Sequence, residues 1–345
     1  MDLERLASQY LFAGKTLDER IKFYKEPSLS IAVIENGEIA TLCRGYRDRE
    51  SVEKVNTETM FQSGSISKPF FAAAVMKLAR KGVLNLDWDI REYGKYEFYE
   101  TYDNKQHKVT MRQLLSHTAG FDLHGFAGYM MNQKVHTIME ILKGQDPANN
   151  LPLAQTCEPG TQWSYSGGGY MLAQKVIEDI TQKSTEDIIS EEIFLPFGLQ
   201  HSTFKNPSDD SMDNYAKGID MFNQCIPGGY CIMPETAAAG LWTTPTDITK
   251  FGMELMKACF GRSDVFEQES ISEMLKQGLP DTGYGMGLYV PKSENENKLF
   301  KHTGANWGYR TSMSFHGKEG RGYVAMLNSE IAEPMIDEID LVLNP

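Results

Sequence analysis

Ser65 and Lys68 stand three residues apart in the stretch FQSGSISKPFFAAAVMKLARKG, residues 61–82. A serine hydroxyl is a poor nucleophile until a neighbouring base takes its proton. A lysine can be that base only as a neutral amine. Moving its pKa from about 10.4 to near 7 costs roughly 4 to 5 kcal/mol, which burial and nearby positive charge can supply. Residues at i and i+3 of a helix share a face, so a helix beginning here puts the two groups in contact. Pro69 suits a first helical turn, where its missing N–H is not needed, and Gly82 suits a C-terminal stop. The same S-x-x-K spacing recurs at Ser51/Lys54 and Ser202/Lys205, but neither pair precedes an apolar helix. The plain alternative for Ser65 is a helix cap worth about 1 kcal/mol, with Lys68 a solvated first-turn charge.

Two further stretches carry reactive side chains. In WSYSGGGYMLAQ, residues 163–174, Tyr165 precedes a glycine-rich turn that opens another helix. A phenol held near a cationic lysine can have its pKa lowered and serve as general base or proton shuttle. The alternative is a core aromatic, the ordinary fate of most of the chain's 16 tyrosines. In KHTGANWGYR, residues 301–310, His302, Thr303 and Gly304 fall at the end of an expected strand. Gly304 permits close approach to the backbone, and the N–H of Ala305 is placed to serve as an oxyanion donor. A satisfied strand histidine is the alternative for His302.

The elements that must position these groups are of two kinds. LSIAVIENGEIATLCRGYRD reads as a hairpin about Asn36-Gly37, and KLFKHTG, YRTSMSFHG and RGYVAMLNS read as three more strands. Residues 2–25 and the final EPMIDEIDLVLNP have helical spacing. The middle leans to helix in TMRQLLSHTAGF, GGGYMLAQKVIEDITQK and TPTDITKFGMELMKACF. The expectation is an α+β fold: an antiparallel sheet from N- and C-terminal strands, flanked by helices, with an inserted helical lobe and a cleft between. Residues 1–345 form one catalytic domain in this reading. Its α/β lobe spans about 1–60 and 283–345, its helix-rich lobe about 61–282.

The chain has 345 residues, a net charge of −13 and 41% hydrophobic residues. That acidity opposes a phosphate-binding surface, so no nucleic-acid partner is expected. No apolar run approaches the roughly 20 residues of a membrane span, so no membrane partner is expected either. The N-terminal stretch lacks the pattern of a signal peptide, and a cytoplasmic location is the expectation. Five scattered cysteines suit reduced, mostly buried thiols. There is no G-x-S-x-G, H-E-x-x-H, paired C-x-x-C or Walker A motif, and no metal or cofactor is expected. Trp163, Trp242 and Trp307 flank the stretches assigned to the cleft, with core packing the ordinary role for each.

S-x-x-K, Y-S-x and H-T-G in that order resemble the serine β-lactamase and penicillin-binding-protein superfamily, in its class C-like branch of DD-peptidases, esterases and D-aminopeptidase-like enzymes. LLSHTAGF (114–121), AAAGLWTTPTDITKF (237–251) and GYGMGLYV (283–290) look typical of the branch, and the likeness runs over roughly residues 25–330. The resemblance implies a β-lactamase/transpeptidase-like fold and an acyl-enzyme on Ser65. Lys68 and Tyr165 would be the proton-transfer pair, and the N–H groups of Ser65 and Ala305 the oxyanion hole. His302 would assist Tyr165 or bind a carboxylate, and Thr303, Gly304, Gly167 and Trp307 would line the substrate. Gly167 stands where penicillin-recognising members carry asparagine, and His302 where true class C β-lactamases carry lysine. A small ester or D-amino-acid amide is therefore expected over a penicillin, with a pH dependence between about 5 and 8 through His302. The rivals are an acyltransferase using the same acyl-enzyme and a non-catalytic binding protein on this scaffold.

Overall fold

The computed structural model describes residues 4, 7–8, 12–35, 37–50, 52–146, 148–208, 212–291 and 298–343. Strand patterning of period two builds its main sheet. β1 (Ser28–Glu35) and β2 (Glu38–Gly45) form the N-terminal hairpin; β3 (Leu299–Asn306), β4 (Tyr309–His316) and β5 (Arg321–Leu327) form a C-terminal meander. Every pairing is antiparallel, in the order β2-β1-β5-β4-β3. The two ends of the chain meet where Leu29 lies opposite Leu327 and Ile34 opposite Gly322. The expected α+β architecture, with one antiparallel sheet drawn from both ends, is the one observed.

Five longer helices matter for the site: α1 (Leu17–Tyr24), α2 (Ser67–Arg80), α3 (Gly167–Thr181), α4 (Pro245–Ala258) and α5 (Glu333–Leu343). Leu29, Ile31 and Val33 of β1 share a cluster with Tyr323 and Leu327 of β5, Leu17 of α1 and Met335 and Ile339 of α5. The alternate residues Val324 and Met326 turn to the opposite face and join the larger core with Phe70, Phe251 and Phe315. There α4 packs on the sheet, so closely at Gly252 that a Cβ would fall 2.2 Å from the Phe315 ring. Behind it, α2 is almost wholly buried, from Ser67 to Met76 without a break. It stops as its sequence suggests: Gly82 takes a φ of +73°, and the N–H groups of Gly82 and Val83 cap the carbonyls of Ala79 and Leu78.

Some expectations need correction. The helical spacing over 2–25 does not make one helix, because Phe12 and Lys15 pair across a tight turn and α1 begins only at Leu17. Thr16 and Glu19 cap that start reciprocally, a signal that overrides the upstream periodicity. Within 110–121 only Met111–Leu115 is helical; His117 then adopts a φ of +58° and turns the chain. The N-terminal hairpin forms with Glu35 opposite Glu38, although Asn36 lies outside the described residues. The cysteines are all free, but only Cys231 and Cys259 are buried and Cys225 is exposed. Among the described residues, no helix is long and apolar enough to cross a membrane.

Candidate active site

Ser65 does not stand in α2 itself. It sits at the centre of a 3₁₀ turn, Gly64–Ile66, that leads into the helix. Such a turn nearly eclipses residues i and i+3, which brings Lys68 Nζ to 3.0 Å from Ser65 Oγ. The capping alternative fails, since α2 has no side-chain cap at its start. Lys68 is not solvated either: it is 2% exposed, and its other partner is the carbonyl oxygen of Ala238 at 2.8 Å. Burial without a compensating carboxylate pushes its pKa down to about 7.

Two glycines allow the sheet to meet this turn. Gly64 has a φ of +54°, and a Cβ there would fall 2.6 Å from the N of Ala305. A Cβ on Gly304 would fall 1.9 Å from the Ser63 carbonyl oxygen. The Ser65 turn therefore packs main chain against main chain along β3, the edge strand of the sheet. Lys301 gives both its N–H and its carbonyl to Tyr289 on that free edge, at 3.0 and 2.9 Å. Antiparallel pairing alternates the direction of these groups, so the N–H of Ala305, four residues on, also points off the edge. The N–H of Ser65, in a first turn without intrahelical acceptors, supplies the second donor of a candidate oxyanion hole.

Tyr165 completes the constellation. It lines the same cavity as Ser65, and its ring centroid lies 4.9 Å from Lys68 Nζ. Burial raises its pKa above the ordinary tyrosine value, so in the free protein it is a phenol and not the ionised base considered from sequence. Lys68 and Tyr165 are thus driven in opposite directions within one pocket, the pattern that separates a base from an acid.

His302 corrects another expectation. It lines the cavity but is 1% exposed, with both ring nitrogens engaged. Nδ1 must donate to the Thr303 carbonyl oxygen at 2.6 Å, so Nε2 accepts from the Tyr284 hydroxyl at 3.2 Å. Burial, and then the adjacent Lys68, hold its pKa at about 3. It is a neutral wall residue at physiological pH, and of the two groups it is Lys68 whose value lies near 7.

The cavity around Ser65 measures about 800 Å³ and is also lined by Gly167, Thr303, Gly304 and Ala305. Thr303 is exposed there, its side chain open to a ligand. The N–H of Gly167 is not: it donates to the His124 carbonyl at 2.9 Å, as the N–H of Gly168 does to Leu123. Trp163 lines this cavity, Trp307 a neighbouring one, and Trp242 is core.

Sequence reasoning missed several contributors. His117, within the quoted LLSHTAGF, lies with its ring 4.2 Å from the Tyr165 ring and tilted 38° to it, and accepts from the N–H of Ser166 at 3.0 Å. The segment 122–126 brings Asp122, His124 and Phe126 to the wall. Gln174 accepts from the N–H of Ala237, which braces the short helix whose Ala238 holds Lys68. Asn306 donates to Gln62 and to the Ala239 carbonyl, tying β3 to the strand before Ser65. None of these carried a spacing that distinguishes it from ordinary core.

Comparison with known proteins bears on the fold and the family. Penicillin-binding protein 4* of Bacillus subtilis (strain 168) is 25% identical over 305 residues, covering 83% of this chain and 64% of the relative. The chain spans less than two thirds of the length of the first curated relatives it matches. Among solved structures, the octameric penicillin-binding protein homologue from Pyrococcus abyssi superposes with a TM-score of 0.77 at 24% identity, over 100% of this chain and 77% of that one. D-amino acid amidase from Ochrobactrum anthropi SV3 gives 0.75 at 22% identity, over 100% and 98%. These likenesses establish a β-lactamase/transpeptidase-like fold. The sequence pattern described as beta-lactamase matches residues 14–343, and the chain belongs to that family.

Proposed function

We propose that the protein is a serine hydrolase that forms an acyl-enzyme on Ser65 and cleaves an ester or amide of a small molecule. The observation that carries this reading is the 3.0 Å contact between the Ser65 hydroxyl and a buried Lys68 amine whose pKa is about 7. As a neutral amine, Lys68 takes the hydroxyl proton while Oγ attacks the substrate carbonyl. The N–H groups of Ser65 and Ala305 receive the oxyanion. Tyr165 donates its phenolic proton to the leaving alcohol or amine and recovers one from the Lys68 ammonium. Water then attacks the acyl ester, loses its proton to the same pair, and Ser65 leaves reprotonated. Thr303 offers its hydroxyl to the substrate at the cavity edge.

Esters and D-amino-acid amides fit better than penicillins. Gly167 has no side-chain amide to hold an acylamino group, and the Phe126 ring lies where a Cβ would point. The structural likeness to a D-amino acid amidase supports the amide half of this reading.

A fluorophosphonate probe followed by intact mass tests the proposal. One adduct on the wild-type protein that vanishes in Ser65→Ala is expected; no adduct, or one that survives in Ser65→Ala, contradicts it. Benzylpenicillin turned over faster than p-nitrophenyl esters would overturn the substrate preference alone.

A further inference from the structure

His117 stands just past the end of the short helix Met111–Leu115, at a φ of +58°. Glycine is the usual residue at such a left-handed stop, and few side chains other than Asn, Asp and His adopt that backbone. The turn is firmly anchored. Thr118 donates its N–H to the Gln113 carbonyl at 2.9 Å, and the Tyr170 hydroxyl of α3 donates to the Leu115 carbonyl at 2.8 Å. From this base His117 reaches both chain neighbours of Tyr165. Its carbonyl oxygen accepts from the N–H of Ser164 at 2.9 Å, and its Nδ1 accepts from the N–H of Ser166 at 3.0 Å.

The bond to Ser166 is the one that holds the ring. With Nδ1 accepting, Nε2 carries the ring proton, and Nε2 has no hydrogen-bond partner among the described residues. Burial, and then Lys68, hold the imidazole pKa well below the ordinary histidine value, so Nδ1 stays an acceptor. Aromatic rings surround it: Tyr165 at 4.2 Å, Tyr284 at 4.8 Å and Tyr170 at 5.2 Å between centroids. Tyr165 is thus gripped through the residue before it, the residue after it and its own ring.

We propose that His117 is a positioning residue for Tyr165: by holding Ser164, Ser166 and the phenol ring together, it keeps the hydroxyl aimed at the departing group. What Tyr165 does rests on the acyl-enzyme reading above; how it is held rests on these contacts alone. A reacting group misplaced by about 1 Å can cost about 10²-fold in rate.

Three substitutions separate the contacts. His117→Gly keeps the left-handed backbone and the bond to Ser164 but removes the ring. His117→Gln restores bulk, but its amide reaches the place of Nε2 and not that of Nδ1. His117→Asn puts an amide oxygen within reach of the Ser166 N–H on a backbone that asparagine tolerates. The readout is kcat/KM for ethyl butyrate relative to p-nitrophenyl butyrate. The p-nitrophenolate departs without a proton, whereas ethoxide needs one from Tyr165. The ratio is expected to fall by about 10–10²-fold in His117→Gly, and to recover most of that loss in His117→Asn. His117→Gln should lower it too, which keeps the test alive if the glycine variant does not fold. In a Tyr165→Phe background the same substitutions should leave the ratio unmoved, because the group they displace is gone. Amide hydrogen exchange reads the hold without chemistry. The Ser166 N–H should be protected in wild type and His117→Asn and unprotected in His117→Gly and His117→Gln, with Ser164 protected throughout. A ratio that stays unchanged, equal losses on the two esters, or a fall that persists in Tyr165→Phe overturns the proposal while the hydrolase stands. If wild type cleaves neither ester, the hydrolase reading falls, and Ser166 protection that follows the stated pattern still sustains the positioning. Ser166 protection that survives in His117→Gly or His117→Gln overturns it in either case.

Discussion

At Gly304 a methyl group would sit 1.9 Å from the Ser63 carbonyl oxygen, whereas at Gly167 it would meet the His124 carbonyl and the Phe126 ring at 3.0 Å each. The first clash is severe and sets main chain against main chain, in the contact that aligns the candidate oxyanion donors. The second needs a few tenths of an ångström from one carbonyl and a turn of one ring. Two glycines near Ser65 therefore do different things. In the proposed reaction the first would fix where a carbonyl is attacked, and the second would leave the Phe126 ring to bear on what is attached to that carbonyl. On that reading, reaction geometry rests on backbone, and selectivity on replaceable side chains.

The largest effect expected belongs to the rigid side. Lys68→Met removes the buried amine at Ser65 and should lower kcat/KM on a p-nitrophenyl ester by about 10³–10⁴-fold, the upper range for loss of a positioned base. Gly304→Ala comes next: it forces β3 off the nucleophile turn and should cost about 10²–10³-fold, as loss of an oxyanion donor does, with a lower Tm. His302→Leu strands the Tyr284 hydroxyl and the Thr303 carbonyl, so it should destabilise by about 1–3 kcal/mol in urea melts. It should leave the pH midpoint of activity in place, because His302, at about 3, is already neutral there. Gly167→Asn is the smallest. It should change kcat/KM by less than about tenfold while shifting preference between acyl groups. A loss as great as that of Gly304→Ala would erase the distinction between the two glycines.

Much of the rigid side was legible in the sequence. A serine and lysine three apart, before an apolar run with Pro69 and Gly82 as punctuation, announce a helix and a contact that local geometry alone enforces. The placing of H-T-G on a strand, which runs two residues past it to Asn306, and the pairing of strands from both termini follow from alternation and turn residues. The selective side was not legible. Phe126 and His124 reach the cavity only because the segment carrying them is hydrogen-bonded to α3 and to Ile232, partners distant in sequence. Protonation states were equally hidden. His302 and Tyr165 are shifted by burial and by neighbours from separate elements, and a motif says nothing of desolvation. The broken helix near Phe12 shows the converse: apolar spacing persists where a turn and a capping box interrupt it.

The central claim is that a neutral Lys68 activates Ser65, and the pH dependence of fluorophosphonate labelling at Ser65 tests it most directly. Above about pH 7 the amine is unprotonated and can take the hydroxyl proton; below it, the ammonium cannot. The labelling rate should therefore rise through a single ionisation centred near pH 7 and then level off, in the wild-type protein and in His302→Leu alike. A rate that is flat from pH 5 to 9, or that climbs only near the ordinary lysine value, would contradict the account.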